Sequence, residues 1–326
     1  MLRDTHHRIH NYLRISLTDA CNFRCFYCMP NEEVEVTPTG KLMSKEEIFG
    51  FAKIFVSLGV TKIRLTGGEP LVRKDIAEII EMLASLPVKL TITTNGVLLH
   101  KHIDTLKKAN IQSINVSLDT LNPNKFFVLT KRDQFQQVKD NIDLLLENEF
   151  SVKVNVVVLK GINETEINAF VAWTKQHPIH VRFIEFMPFT SNQWKSEKVF
   201  TYQQILQTIA LEYEYIKIKD DLNDTTKKYK VLNHTGTFAI ISTMTAPFCN
   251  TCNRLRLTAD GKMKNCLFSK TETDLLRLYR NGEDVIQAIK ENVLLKEKAL
   301  GGQLLTDFSQ IETTQLENRS MISIGG

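Results

Sequence analysis

"NYLRISLTDACNFRCFYC", residues 11–28, runs from an alternating stretch straight into three cysteines. In the first part Arg14, Ser16 and Thr18 fall on one side of an extended chain, and Leu13, Ile15 and Leu17 on the other, because successive strand side chains point to opposite faces. The same split recurs downstream. Lys62, Arg64 and Thr66 share a face in "KIRLT" (62–66), opposite Ile63 and Leu65. Thr91, Thr93 and Asn95 align in and after "KLTITT" (89–94), and Asn115, Ser117 and Asp119 in and after "SINVSL" (113–118). Lys153 and Asn155 align in "SVKVNVVVL" (151–159), and a sixth strand is expected over "HVRFIEFM" (180–187).

Helical patterns separate these strands. Ser44 is placed to N-cap "KEEIFGFAKIFVSLG" (45–59), with Glu47 at the capping-box position and Gly59 as the stop. "RKDIAEIIEMLASL" (73–86), a segment from about Lys101, "QFQQVKDNIDLLLENE" (134–149) and "NETEINAFVAWTKQ" (163–176) follow. Six strands with helical crossovers predict a parallel α/β architecture. A doubly wound sheet buries both faces and reads as continuous apolar runs. A polar second face instead predicts an incomplete (β/α)6 TIM-like barrel with a wet lumen, since eight units close an ordinary barrel. Antiparallel strands with one solvated face would give the same parity, but the crossovers argue against them.

After Met187 the rhythm stops. "PFTSNQWKSEKVF" (188–200) reads as a loop, 201–212 as a helix, and "DDLNDTTKK" (220–228) as a polar, mobile loop. "TFAIIST" (237–243) reads as a strand and "RLRLTADGKMKNCLF" (254–268) as a hairpin turning at Asp260-Gly261. Residues 271–298 look helical, and the chain ends in Gly325-Gly326.

Composition sets the broad class. The 326 residues are 43% hydrophobic and 24% charged with net charge +4, which is globular and does not suggest a nucleic-acid binder. No stretch is long and apolar enough to span a bilayer, and the polar start "MLRDTHHRIH" lacks the apolar core of a signal peptide. A cytoplasmic protein is expected, where clustered cysteines more often bind metal than form disulfides. All six cysteines fall into two sets, Cys21, Cys25, Cys28 and Cys249, Cys252, Cys266. Structural zinc takes four ligands, and four-iron clusters usually take four cysteines. Three thiolates on three irons of a cubane would leave the fourth iron open to an amino acid's amine and carboxylate. A zinc-containing nucleic-acid module, with C-x2-C-x13-C as a truncated ribbon, is the alternative from a different class.

"CNFRCFYC" resembles the C-x3-C-x-aromatic-C signature of the radical S-adenosylmethionine superfamily, and "TGGEP" (66–70) its glycine-rich segment. Further matches in order are "LRISLTDACNFRCFYCMP", "KIRLTGGEPLVRKD", "TTNG", "INVSLDT", "VKVNVVVLKGIN", "RFIEFMP", "FCNTCNRLRLTADGK" and "IGG". Together they resemble the GTP 3′,8-cyclase family of molybdenum cofactor biosynthesis over nearly the whole chain. Ala20 departs from the arginine common there. Radical S-adenosylmethionine enzymes that modify peptides and keep an auxiliary cluster are the runner-up, but they usually carry longer cysteine-rich extensions.

The resemblance implies a radical S-adenosylmethionine barrel over 1–190 and an α+β extension over 191–326 that closes it. It implies two 4Fe–4S clusters, one on Cys21, Cys25 and Cys28 that cleaves S-adenosylmethionine, the other on Cys249, Cys252 and Cys266 facing guanine. The 5′-deoxyadenosyl radical would take hydrogen from C3′ of GTP, and the ribose radical would close on C8. Tyr27, Gly68, Ser117 and Met187 match positions around S-adenosylmethionine. Glu69 is a candidate partner for its amino group, or otherwise a helix N-terminal charge. Arg14, Arg64, Thr93, Lys153, Arg254, Leu255 and Arg256 match positions around GTP, and the basic ones suit a triphosphate. Arg182 is a catalytic candidate, although parity sets it opposite Glu185. Gly325 and Gly326 are expected to insert into the barrel. The partners implied are GTP, a reductant such as flavodoxin or ferredoxin, and cyclic pyranopterin monophosphate synthase downstream, with no nucleic acid and no membrane; a homodimer is compatible.

Overall fold

The computed structural model describes residues 1–29, 36–190, 192–304 and 307–325. Strands are β1 Tyr12–Ser16, β2 Lys62–Thr66, β3 Lys89–Thr94, β4 Ser113–Ser117, β5 Ser151–Val158 and β6 His180–Glu185 in the first part. The second part adds β7 Tyr215–Lys217, β8 Lys227–Val231, β9 Thr237–Ile241, β10 Arg254–Leu257, β11 Lys262–Lys264 and β12 Thr273–Asp274. Helices are α1 Lys45–Ser57, α2 Ile76–Ala84, α3 Ile103–Lys108, α4 Pro123–Thr130, α5 Phe135–Glu147, α6 Ile167–Trp173 and α7 Tyr202–Ala210. Then come α8 Leu275–Arg280, α9 Val285–Leu294 and the short α10 Met321–Ile324. The alternation and capping signals read from the sequence produce these elements locally: Ser44 and Glu47 form the expected capping box, and the chain leaves α1 through Gly59 at φ +100°. The helix α4 was not foreseen, although Asn122 as N-cap and Pro123 at the first position announce it.

Among the described residues twelve strands form one sheet in the order β12-β11-β10-β1-β2-β3-β4-β5-β6-β9-β8-β7. The eight from β10 to β9 run parallel. The apolar parity face packs under the helices: Leu13, Ile15, Ile63, Leu65, Ile92, Ile114 and Val154 join helix residues such as Phe51, Ile79, Ile142 and Phe170 in one core cluster. The expectation of an extension that closes the barrel needs correcting. The extension adds one parallel strand to each flank of the six and an antiparallel strand pair beyond each, and the sheet remains open between β12 and β7. Of residues 220–228, read from the sequence as a polar loop, Lys227 and Lys228 belong to β8; Asp221 and Asp224 pair with Lys228, and Asp221 to Thr226 line the cavity.

Candidate active site

The polar face of the strands bounds a cavity of about 970 Å³ that both cysteine sets line. Register fixes what lies across it. Arg256, Arg14 and Arg64 are in-register neighbours on β10, β1 and β2, and Arg254, Tyr12 and Lys62 form the adjoining row. Thr93, Asn115, Lys153 and His180 make another row across β3 to β6, and Asn155 pairs with Arg182. The first cysteines follow the C-terminal end of β1, whereas Cys249 and Cys252 precede the N-terminal end of its parallel neighbour β10. Cys266 follows β11, which runs antiparallel to β10 and so returns to that same end. The two sets therefore sit at opposite ends of the strands, and the length of β1 between those ends is roughly 13 Å at about 3.3 Å per residue.

The cations crowd one another. Burial, then neighbouring positive charges, lowers Lys153 to about 8, Arg182 to about 9 and Arg256 to about 10, and pushes Arg14 well down. The Nε and one terminal nitrogen of Arg182 are buried without a hydrogen-bond partner. Arg64 is held in place: its Nε donates to the Tyr12 hydroxyl at 2.5 Å and a terminal nitrogen donates to Ile92 O and Thr93 Oγ1. Burial alone would raise Tyr12, but Arg64, Arg14 and Lys62 overcome it and bring the phenol down to about 7. Such a site, rich in cations and poor in carboxylates along these rows, is built to receive a polyanion.

At the first cysteine set, Tyr27 donates from its hydroxyl to Asp119 Oδ2 at 2.5 Å, and Val157 N donates to Oδ1 at 2.8 Å. Burial raises Asp119 to about 6, Cys21 to about 11 and Cys28 to about 12. Gly68 packs backbone to backbone: its N–H donates to Thr18 O at 2.7 Å, and a Cβ there would lie 2.4 Å from Ala20 O. The glycine segment thus carries the loop that leads into Cys21. At the second set, Arg254 stacks over Phe248 and approaches Cys252 Sγ at 3.8 Å. Burial would raise Cys252, but Lys296 and Arg254 outweigh it and lower the thiol to about 6.

All six cysteines are free and half-buried. Among the described residues no three donors close round a single ion. Three thiols per set facing a shared space suit a polynuclear cluster, in which each thiolate meets its own iron.

The other candidates divide. Tyr27, Gly68, Ser117, Met187, Arg14, Arg64, Thr93, Lys153, Arg182, Arg254 and Arg256 all line the cavity. Arg182 does so because β6 stays regular. Glu185 then points away, fully buried, and takes N–H donations from Tyr202, Met244 and Thr245. Two candidates lie elsewhere. Leu255, between the two arginines, turns its side chain into the core and does not line the cavity. Glu69 is 1% exposed, and its carboxylate accepts from Leu71 N, Thr94 Oγ1 and Asn95 N. The helix N-terminal reading describes it, and burial lifts it to about 7. Gly325, at φ +81°, does enter the barrel: Arg256 donates to its carbonyl at 2.6 Å, and Ser16 and Thr66 leave no space for a Cβ. Gly326 lies outside the described residues. Tyr12 and His180 line the cavity unannounced. Tyr12 shares the parity of Arg14, a signal that was available.

Comparison with known proteins gives the geometry its family. The Radical SAM superfamily matches residues 15–174, and the Molybdenum Cofactor Synthesis C family matches residues 179–301. "GTP 3',8-cyclase, mitochondrial" of Arabidopsis thaliana is 45% identical over the whole chain and 84% of its own length. The GTP 3',8-cyclase of Listeria welshimeri is 37% identical, covering 100% of this chain and 99% of that one. Human "Molybdenum cofactor biosynthesis protein 1" is 42% identical, and the match spans 51% of its length. Among solved structures, Streptococcus suis SuiB bound to S-adenosylmethionine superposes with a TM-score of 0.62 at 16% identity over 91% of this chain and 68% of that one, a likeness of fold. Full-length identity to named cyclases, with two cysteine sets flanking one cationic cavity, means that the chain belongs to the GTP 3′,8-cyclase family of radical S-adenosylmethionine enzymes.

Proposed function

We propose that this protein converts GTP to (8S)-3′,8-cyclo-7,8-dihydroguanosine 5′-triphosphate, an early step of molybdenum cofactor biosynthesis. The observation that carries the reading is the cationic rows lying between the two cysteine sets in one cavity. A nucleoside triphosphate gripped there has a cysteine set on either side.

When bound at Cys21, Cys25 and Cys28, a 4Fe–4S cluster with S-adenosylmethionine supplies the one-electron chemistry that starts hydrogen abstraction. Tyr27, Gly68, Ser117 and Met187 line that end of the cavity and shape the space for S-adenosylmethionine. Arg14, Arg64, Lys153, Arg254 and Arg256 hold the triphosphate, with Thr93 steadying Arg64. The unpartnered nitrogens of Arg182 are free to donate to the ribose or phosphate oxygens. Cys249, Cys252 and Cys266 hold a second 4Fe–4S cluster on the guanine side. Gly325 orients Arg256 through its carbonyl. On this reading residues 1–190 form the radical barrel and 191–326 the extension with the second cluster. A reductant protein such as flavodoxin or ferredoxin supplies electrons, cyclic pyranopterin monophosphate synthase takes the product, and the enzyme works in the cytoplasm, where a homodimer is compatible with this reading. Among the described residues no helix is long and apolar enough to cross a membrane.

Anaerobic incubation with GTP, S-adenosylmethionine and dithionite, followed by mass analysis, tests the reaction: a product isomeric with GTP is expected alongside 5′-deoxyadenosine. Replacing Cys21, Cys25 and Cys28 by alanine should remove about four irons and abolish cleavage of S-adenosylmethionine. The corresponding change at Cys249, Cys252 and Cys266 should remove as many but leave some cleavage. Full iron content in either variant contradicts the assignment.

A further inference from the structure

Lys296 is 3% exposed, and among the described residues it has no carboxylate partner. Its ammonium donates to Arg254 O at 2.9 Å, to Asn265 O, and to Cys252 Sγ at 3.9 Å. Buried charges persist when an opposite charge answers them. Lys264, equally buried and near Cys266, has Glu272 at 3.5 Å. For Lys296 the available anion is the sulfur of Cys252.

The segment carrying Lys296 is braced against the cysteines. Leu300 N donates to Cys249 Sγ at 3.4 Å. Arg8 donates to Glu297 O, Lys298 O and Cys249 O at 2.7, 2.8 and 2.9 Å, and Asp4 answers its charge at 2.6 Å. So residues 296–300 touch two of the three sulfurs in the second set, and the N-terminal arm fixes them there. The first set receives neutral donors instead: Phe23 N and Asn95 Nδ2 donate to Cys21 Sγ at 3.4 and 3.9 Å. The carboxylates of Asp119 and Glu69 bring negative charge to this set, Asp119 to Cys25 and Cys28 and Glu69 to Cys21, where Arg24 acts against it.

An iron–sulfur potential depends on net charge and on hydrogen bonds to the sulfurs. A cation against a ligand thiolate favours the reduced, more negative cluster. Taking the two-cluster reading above as given, we infer that Lys296 is a positioning residue that anchors Cys252 and raises the reduction potential of the second cluster above that of the first. The reaction concerned is a one-electron reduction by an external donor such as dithionite, with no bond made or broken.

The test is a redox titration, followed by electron paramagnetic resonance, of the reconstituted full-length wild type and Lys296→Gln. Glutamine keeps a donor for the two carbonyls and removes the charge. At the potential that half-reduces the wild-type second cluster, its reduced-to-oxidised ratio should fall about tenfold or more in the variant, which is about 59 mV for a one-electron couple. The first cluster should not move. An unmoved second potential overturns the inference. If Lys296→Gln fails to hold the second cluster, the chain with Cys21, Cys25 and Cys28 replaced by alanine decides. With 15N confined to lysine, its reduced cluster should couple to a lysine nitrogen, and absence of coupling overturns the inference. Iron content separates the two readings. A wild type that takes up about four irons rather than about eight overturns both, whereas the full count with unmoved potentials overturns this inference alone.

Discussion

Tyr12 meets the fields of Arg14, Lys62, Arg64, Arg182 and Arg256, and this crowding makes the empty site costly at neutral pH. Its phenol titrates near 7 in the fold rather than near 10, so ionisation contributes stability that is complete above about 10 and lost as pH falls through 7. Lys153 is lowered to about 8, so folding carries a penalty below 8 that is relieved as pH rises toward its ordinary value. Both act in one direction. The GTP-free holoprotein should grow more heat-stable from pH 7 to about 10, and saturating GTP should flatten the rise, because the triphosphate answers the same cations. A pH-independent midpoint without GTP would contradict this electrostatic picture. Charge-assisted bonds to phosphate contribute about 1.5–3 kcal/mol each. Lys153→Ala should therefore weaken GTP binding about tenfold or more by calorimetry, with iron content unchanged. Guanosine, lacking phosphates, should bind both forms equally; if it binds wild type as tightly as GTP does, the cations have another purpose.

At the scale of elements, the strand–helix units that built the lumen were legible because their signals are local. Parity needs two-residue memory, and the boundaries of β2 and β3 coincide with the runs read from the sequence. Parity also resolves Arg182 against Glu185, since a regular β6 sends one to the cavity and the other to the turn at Met244 and Thr245. What was not legible depends on distant pairing. Nothing near "RLRL" says that β10 will lie beside β1, yet that register puts Arg256 next to Arg14. Lys296 looks like one more surface lysine until α9 and the hairpin bury it. The glycine segment shows the same limit, because its role comes from what it touches. A Cβ at Gly68 would meet Asp19 O at 2.6 Å as well as Ala20 O, both of them backbone atoms of the loop into Cys21. Gly68→Ala should cost about 1–3 kcal/mol as overpacking. It should also lower the occupancy of the first cluster, read as iron content in the background lacking Cys249, Cys252 and Cys266, while iron in the background lacking Cys21, Cys25 and Cys28 stays unchanged. Normal occupancy would mean that the loop shifts freely.

For the whole molecule, the C-terminal tail is held by groups other than its glycines. Arg319 makes a two-pronged pair with Asp260 at 2.9 and 2.8 Å and reaches Glu272, and Ile322 and Ile324 are buried. These anchors lie before Gly325, whose carbonyl then arrives at Arg256 from within the barrel. Anchoring and function are thereby separated along the chain. Removing Gly325 and Gly326 leaves the ion pair and both isoleucines, so iron content and thermal midpoint should stay close to wild type. It takes away the acceptor that orients Arg256, so GTP cyclisation should drop sharply while uncoupled cleavage of S-adenosylmethionine continues. Arg319→Ala, by contrast, should loosen the whole tail and lower cyclisation even with both glycines present. Unimpaired turnover after the two-residue deletion would mean that Arg256 needs no partner from the tail, and that the close fit of Gly325 against Ser16 and Thr66 is packing without consequence for the reaction.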